Sequence, residues 1–290
     1  MPAEHVYNLK RDDITSPDRI ARKLTAPPGI VLPRKATTSQ WMGLTGDQKQ
    51  KGSCTGQMGR EIRDLLYRKL YLFEKNRTVP PAKFKSSADF IYLSNLQADG
   101  DLGKDAGSTI HQTFITLNQK GTCLESQDPY SGTNVSIPPT PMQNTQALAY
   151  KLGSYHNLPG LLEIKACIAS GYSCGFGINV YESFEGITLG TTGFMPMPKP
   201  NEELLGGHAQ HCMDYDDDIS FTGATVVSGK VYAGPVHTAP NGGLFNQNSW
   251  NGWGISAPGR TDRGCYWMPY AYVDGTNVND IWMIHEGKAW

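Results

Sequence analysis

The stretch Asp47-Gln48-Lys49-Gln50-Lys51-Gly52-Ser53-Cys54-Thr55-Gly56-Gln57 runs straight into a helical pattern. Met58, Ile62, Leu65, Leu66, Leu70 and Phe73 follow at three-to-four spacing, which predicts a helix from Cys54 to about Asn76 with one apolar stripe. Ser53 falls at the N-cap, where a hydroxyl can satisfy a free amide of the first turn. A cysteine in that turn feels the positive end of the helix dipole, which favours thiolate over thiol. This is an address at which a reactive cysteine would be built. For an isolated cysteine the alternative is a small residue packed into a helix start. The rest of the chain decides between the two.

Working outward, residues 1–40 read as an extended N-terminal arm, because Arg11-Asp12-Asp13, Pro17-Asp18 and Pro27-Pro28 oppose long regular structure. The arm is short for a folded prodomain that could cover a cleft. Pro80-Pro81 breaks the chain after the long helix, Ser86 to Ser94 reads as a short helix, and Ile110, Phe114 and Leu117 mark another, stopped by Gly121. Ser131–Pro141 is a polar, proline-rich join. One more helix is predicted from Leu161 to Ser170, ended by Gly171. Strand-like runs follow at 174–181, 208–215, 224–233, 244–250 and 265–272. Helices first and strands later predict an α+β fold of two segregated lobes: the arm at 1–40, a helical lobe at 41–133 and a β-rich lobe at 134–290. A cleft between such lobes is a common place for a site.

The totals narrow the function. A net charge of −1 over 290 residues gives no reason to expect nucleic acid or an anionic membrane as partner. No apolar run is long enough to span a bilayer, and Met1 to Leu24 lacks the apolar core of a secretory signal, so a cytoplasmic protein is expected. The six cysteines (54, 123, 167, 174, 212, 265) follow no framework spacing and read as mostly reduced. The glycosylation patterns at Asn76–Thr78 and Asn134–Ser136 are short and carry nothing without secretion. His211 and Cys212 lie near Asp214 and Asp216–Asp218, but strand alternation sends His208 and His211 to opposite faces. The acidic run has Ile219 where a calcium loop needs glycine, so no metal and no cofactor are expected. His237, near Pro235 and Pro240, reads as a loop residue.

A cysteine nucleophile needs a base, a group to orient that base, and donors for the oxyanion. Gly206-Gly207-His208-Ala209 opens one strand-like run, and Gln247-Asn248-Ser249-Trp250 closes another. The order Cys, His, Asn, with these flanks, resembles the papain-like cysteine peptidases. Gln48 precedes Cys54 by six residues, as that family's oxyanion glutamine does. Asn248-Ser249-Trp250-Asn251-Gly252-Trp253-Gly254 resembles its Asn-Ser-Trp-Gly block, one residue shortened. Segments at Asp105–Ser108, Gly121–Ser126, Asp128–Tyr130, Ile164–Gly171, Tyr181–Phe184 and Gly264–Tyr270 are similar to its bacterial and viral branch, so the resemblance spans about Tyr7 to Ile284.

The resemblance implies a helical lobe beside an antiparallel barrel-like lobe, with the cleft between them. It implies an endopeptidase in which Cys54 attacks the scissile carbonyl, His208 pairs with it and protonates the leaving amine, and Asn248 orients the imidazole. Trp250 would shield that hydrogen bond, and Gln48 with the Cys54 amide would bind the oxyanion. Trp250, Gly207 and Ser53 would line the substrate path, and the partner would be a peptide or protein. Two alternatives use the same residues: a catalytically silent peptide-binding scaffold, and a transpeptidase or ligase. Lys51 stands where many members carry a second cysteine bonded to the helical lobe. Thr55-Gly56-Gln57 lacks the usual tryptophan after the nucleophile, and Gln210–Asp214 is more polar than the usual aliphatic strand.

Overall fold

The structure, a computed structural model, describes residues 5–75, 84–221, 225–227, 230–232, 242–274 and 277–285. Residues 76–78, Pro80-Pro81, His237 and parts of the run at 224–233 lie outside them. In chain order the elements are α1 (Pro17–Ala21), β1 (Lys35–Thr37), α2 (Cys54–Lys75), α3 (Ala88–Asp99), α4 (Ile110–Gln119), α5 (Pro141–Ala147), β2 (Ser154–Asn157) and α6 (Leu161–Ala169). They continue with β3 (Cys174–Tyr181), α7 (Ile187–Thr192), β4 (Leu204–Asp216), β5 (Thr225–Val227), β6 (Lys230–Tyr232), β7 (Gly243–Gln247), β8 (Cys265–Pro269), α8 (Tyr270–Asp274) and β9 (Val278–His285).

Helices α3, α4 and α5 begin where side chains satisfy their free amides. Ser87 Oγ accepts from Phe90 N at 3.0 Å at the start of α3, and Thr109 Oγ1 accepts from Gln112 N at 2.9 Å at the start of α4. Thr140 and Gln143 form a reciprocal capping box at α5. At 22 residues α2 is the longest, about 33 Å at the usual helical rise. Its approach to α3 requires Gly56, since a Cβ there would lie 2.6 Å from the Ala88 carbonyl oxygen.

The main sheet is antiparallel in the order β2-β9-β3-β4-β7-β8, with β1 paired to β4 off that path. Among the described residues it is open, not the barrel-like closure the resemblance implied. The two remaining strands, β5 and β6, form a hairpin with each other and do not bridge the outer strands β2 and β8. One face of the sheet carries the larger apolar cluster, with Ile164, Phe176, Ile178, Phe184, Leu244, Tyr266 and Met283 buried together. On the other face Met58, Ile62 and Leu66 of α2, with Ile110, Phe114 and Leu117 of α4, meet Ala209, Trp282 and Ile284. Successive strand residues point to opposite faces, so β4 presents Ala209 to the α2 side while His208 approaches Phe184 and Trp250.

Several strands depart from the sequence reading, β1 and β2 among them, which it did not predict. The run at 265–272 turns helical after Pro269, and Val278–His285, read as no strand, pairs with both β2 and β3.

Candidate active site

Three segments far apart in sequence converge at the start of α2. The loop before the helix pairs with the segment after β7: Gln48 N donates to the Ser249 carbonyl at 2.8 Å, and Asp47 bridges Trp250. Ser53 holds the N-cap position, its carbonyl accepting from Gln57 N at 3.0 Å. Its hydroxyl pairs with the Tyr130 hydroxyl at 2.6 Å. Tyr130 Oη also donates to the Gln48 carbonyl at 2.9 Å, so one phenol holds both ends of the loop.

Cys54 is fully buried at the first position of α2. Burial pushes its thiol up to about 11, against the opposing pull of hydrogen bonds from the Ala209 and Thr55 amides. His208 Nε2 lies 2.8 Å from Asn248 Oδ1. Trp250 stacks on the imidazole at 4.9 Å between centroids and 13° between planes. Nδ1, the opposite ring nitrogen, is buried without a hydrogen-bond partner among the described residues. Burial drives His208 down to about 4, although Asn248 favours its charged form. The sequence reading anticipated a thiolate at this address. In this closed arrangement desolvation outweighs the helix dipole, and both groups are held neutral.

The Gln48 side chain is fully buried in the loop before α2. Nε2 donates to the Lys51 carbonyl at 3.1 Å and to the Val6 carbonyl at 3.2 Å, and Oε1 accepts from Ser249 Oγ. His211, on the helix side of β4, pairs its Nδ1 with Gln247 Oε1 at 3.1 Å.

No family model matches the chain. Its structure superposes on xylellain, described as a cysteine protease from Xylella fastidiosa, with a TM-score of 0.75 and 24% identity, over 97% of this chain and 96% of that one. This chain has a papain-like fold. A procathepsin B from Trypanosoma congolense shares it with a TM-score of 0.59 and 12% identity, over 91% and 82% of the two chains. In sequence, an uncharacterized peptidase C1-like protein of Acanthamoeba polyphaga mimivirus is 26% identical over 270 residues, covering 89% of this chain and 75% of that protein. The family resemblance read from the sequence thus holds in the papain-like architecture.

Around the papain-like cleft, Asp105 and Lys51 take structural parts that the sequence reading did not assign them. Asp105 accepts from Gly52 N at 2.8 Å and from the Tyr92 hydroxyl at 2.6 Å, bracing the loop before Cys54. Lys51 Nζ forms a buried ion pair with Asp89 Oδ1 at 2.7 Å and donates to the Ser131 carbonyl at 3.1 Å. The papain-like cleft is also occupied. His5 stacks on Trp250 at 3.6 Å, Tyr7 meets His208 edge-on at 5.7 Å, and Asn8 forms a bridge with Gly207.

Proposed function

We propose that the protein is a cysteine peptidase that cleaves peptide bonds of peptide or protein substrates through a thioester on Cys54. The observation that carries this reading is the buried His208–Asn248 pair beside the Cys54 helix start, with the Gln48 amide alongside. The likeness to the peptidase C1-like protein of the mimivirus, to xylellain and to procathepsin B supports the chemistry class. In this reading residues 41–133 form the lobe that carries Cys54, and residues 134–290 the lobe that carries His208 and Asn248.

With the cleft hydrated, the proton passes from Cys54 Sγ to His208 Nδ1, giving a thiolate and an imidazolium. The thiolate attacks the scissile carbonyl carbon. A C–S bond forms, and the oxygen takes the negative charge toward Gln48 Nε2 and the Cys54 amide. Collapse breaks the C–N bond, and His208 delivers its proton to the departing amine. Water, deprotonated by His208, then attacks the thioester carbon; the C–S bond breaks, the carboxylic acid leaves, and His208 returns the proton to the Cys54 sulfur. Asn248 holds the imidazole in the tautomer that keeps Nδ1 turned to sulfur, and Trp250 keeps water from that hydrogen bond.

Wild-type protein and Cys54→Ala are incubated with a mixed peptide library, and products are identified by mass. Cleavage by wild type that is lost in Cys54→Ala is the expected result. Equal cleavage by both would refute the assignment.

A further inference from the structure

Three cysteines that take no part in the Cys54 chemistry meet in the larger apolar cluster of the sheet. Cys167 comes from α6, Cys174 opens β3 and Cys212 lies on β4; all three are free and fully buried. Cys54 belongs to the cluster on the other face, with α2. Cys123 packs with Phe90 and Ala147, and Cys265 with Met213 and Phe245, in clusters of their own.

The three sulfurs are more than neighbours. Cys174 and Cys212 are register partners, directly opposite each other on antiparallel strands. Opposed residues on such strands hold their Cα atoms about 4.5–5.5 Å apart, inside the range of about 4.4–6.8 Å that a disulfide spans. The Cys174 sulfur hydrogen-bonds with both the Cys167 and the Cys212 thiols. Burial raises the pKa of Cys167 and Cys212, and the hydrogen bond each gives to Cys174 raises it further. Burial acts the same way on Cys174, but the two hydrogen bonds it receives outweigh burial and lower its pKa. A negative charge in this cluster therefore rests on Cys174, between two protonated thiols. Thiolate character decides which cysteine an oxidant attacks.

A separate group faces the same place. Tyr266 on β8 is fully buried, and its hydroxyl has no hydrogen-bond partner among the described residues. Burial is the main cause of its raised pKa, and Tyr272 and Cys212 nearby add to it. A buried hydroxyl without a partner is costly. An oxygen arriving beside Cys212 would supply that partner.

We propose that Cys174 and Cys212 are a peroxide-driven disulfide site that staples β3 to β4, with Tyr266 donating a hydrogen bond to the oxygen that reacts at Cys174. Hydrogen peroxide is little larger than water and reaches a buried sulfur through local opening. The Cys174 thiolate attacks one peroxide oxygen, the O–O bond breaks, and the departing hydroxide takes up a proton as water. Cys174 is then a sulfenic acid. The Cys212 sulfur attacks the Cys174 sulfur, the S–O bond breaks, and the Cys212 proton leaves with the hydroxide as a second water. Two thiols lose two electrons, and one peroxide is reduced to two waters. His208 and Cys212 share one face of β4, and Ile178 on β3 opposes His208 as Cys174 opposes Cys212. The bond thus locks the register of the strand pair that carries His208.

The full wild-type chain is treated with hydrogen peroxide, digested without reduction and mapped by mass spectrometry. The expected product has lost two hydrogens, links the peptides of Cys174 and Cys212, keeps Cys167 as a thiol and reverts with dithiothreitol. Its Tm is expected to rise by about 5–10 °C, the scale for a staple that constrains several tens of residues of the unfolded chain. Cys212→Ala is expected to lose both the link and the rise. Tyr266→Phe removes only the unpartnered hydroxyl, and is expected to slow linking several-fold without lowering the Tm of the reduced protein.

Free thiols at both positions after treatment, or a link from Cys174 to Cys167 in place of Cys212, would overturn the proposal. So would a Cys174–Cys212 link that leaves Tm unchanged, since nothing would then have been stapled. Equal linking rates in wild type and Tyr266→Phe would remove Tyr266 from the site. Mapping uses the wild-type chain, so the outcome does not depend on a variant that fails to fold.

Discussion

Replacing Lys51 with methionine should destabilise the protein strongly and in a pH-dependent way. The substitution keeps most of the side-chain stem and removes the ammonium. Lys51 and Asp89 are both buried, with side-chain exposures of 1% and 2%, so water cannot replace the lost partner. Removing one member of a buried pair costs about 3–5 kcal/mol, because the other charge stays behind uncompensated. The Ser131 carbonyl loses its donor as well, while Asp89 Oδ2 keeps the Ser131 amide at 2.8 Å. Burial already raises the Asp89 pKa, with Lys51 opposing that rise. Without Lys51 the pKa rises further. A carboxyl whose folded pKa lies above its unfolded value favours the folded state below the unfolded pKa, and that contribution is lost as pH rises. The penalty should therefore be larger at pH 8 than at pH 5. Urea unfolding of Lys51→Met at both pH values measures it, and the double variant Lys51→Met with Asp89→Leu should recover much of the loss. A single-variant cost below about 1 kcal/mol at pH 8, or a double variant no better than the single, would refute the reasoning. Because Lys51 shares its loop with Gln48 and Cys54, its loss should also slow Cys54 labelling by an epoxysuccinyl reagent in an arm-emptied background, Tyr7→Ala with Leu9→Ala.

Other consequences can be measured separately. Asn248→Ala removes the group that orients His208, and should cut turnover by about 100-fold or more in an arm-emptied variant while leaving the fold intact. Burial lifts Glu61 on α2 to about 8 from an ordinary 4.5, so it favours the folded state at acid pH and loses that contribution as pH rises through 8. Glu61→Gln should flatten the fall in unfolding free energy across that window. Gly175→Ala would place a Cβ 2.4 Å from Met58 Sδ and should cost about 1–3 kcal/mol by prying α2 from β3, read as a lowered urea midpoint. Glu185→Ala frees His5 and Tyr7 together and should speed Cys54 labelling several-fold; no change would show that the front of the arm contributes nothing to closure.

Much of this architecture is legible in the sequence where apolar periodicity or capping chemistry is strong. The stripe from Met58 to Leu70 predicts α2 nearly to its ends, and Ile110, Phe114 and Leu117 are the buried face of α4. Strand β9 was hidden because it opens with Val278, Asn279 and Asp280, a polar start whose Asp280 serves the arm rather than the core. Strand β2, Ser154-Tyr155-His156-Asn157, offers one apolar side chain in four residues and gains its identity from pairing with β9. The convergence of residues 47–54, 207–209 and 248–250 matches their motif order, since each flank carries its own signature. The arm in the cleft left no such trace. Many of its partners are backbone carbonyls and the glycines 52, 107, 206 and 207, whose contribution is the side chain they lack, and its side-chain contacts, Glu185, Trp250 and His208, carry no sequence pattern that points to it. Polarity in Gln210–Asp214, read as a departure, is absorbed by specific partners: Asp214 accepts from the Thr38 and Ser39 amides at 2.7 Å and 2.9 Å.

Strand β9 also sets a timetable. It is the last described strand to be synthesised, yet it sits inside the sheet between β2 and β3. Asp280 on that strand binds Asp12 N at 3.1 Å across 268 positions of chain and shares Arg19 with the Asp12 carboxylate. A contact of such sequence separation must wait for the intervening chain, and its closure entropy is met only once the neighbouring strands are in place. An early segment of the chain is therefore clasped by a late strand. A nascent chain that already carries Cys54 and His208 still lacks the strand on which its sheet and its hold on the arm both depend. Completion of the sheet and capture of the arm are one event, and the site is sealed by the step that finishes building it.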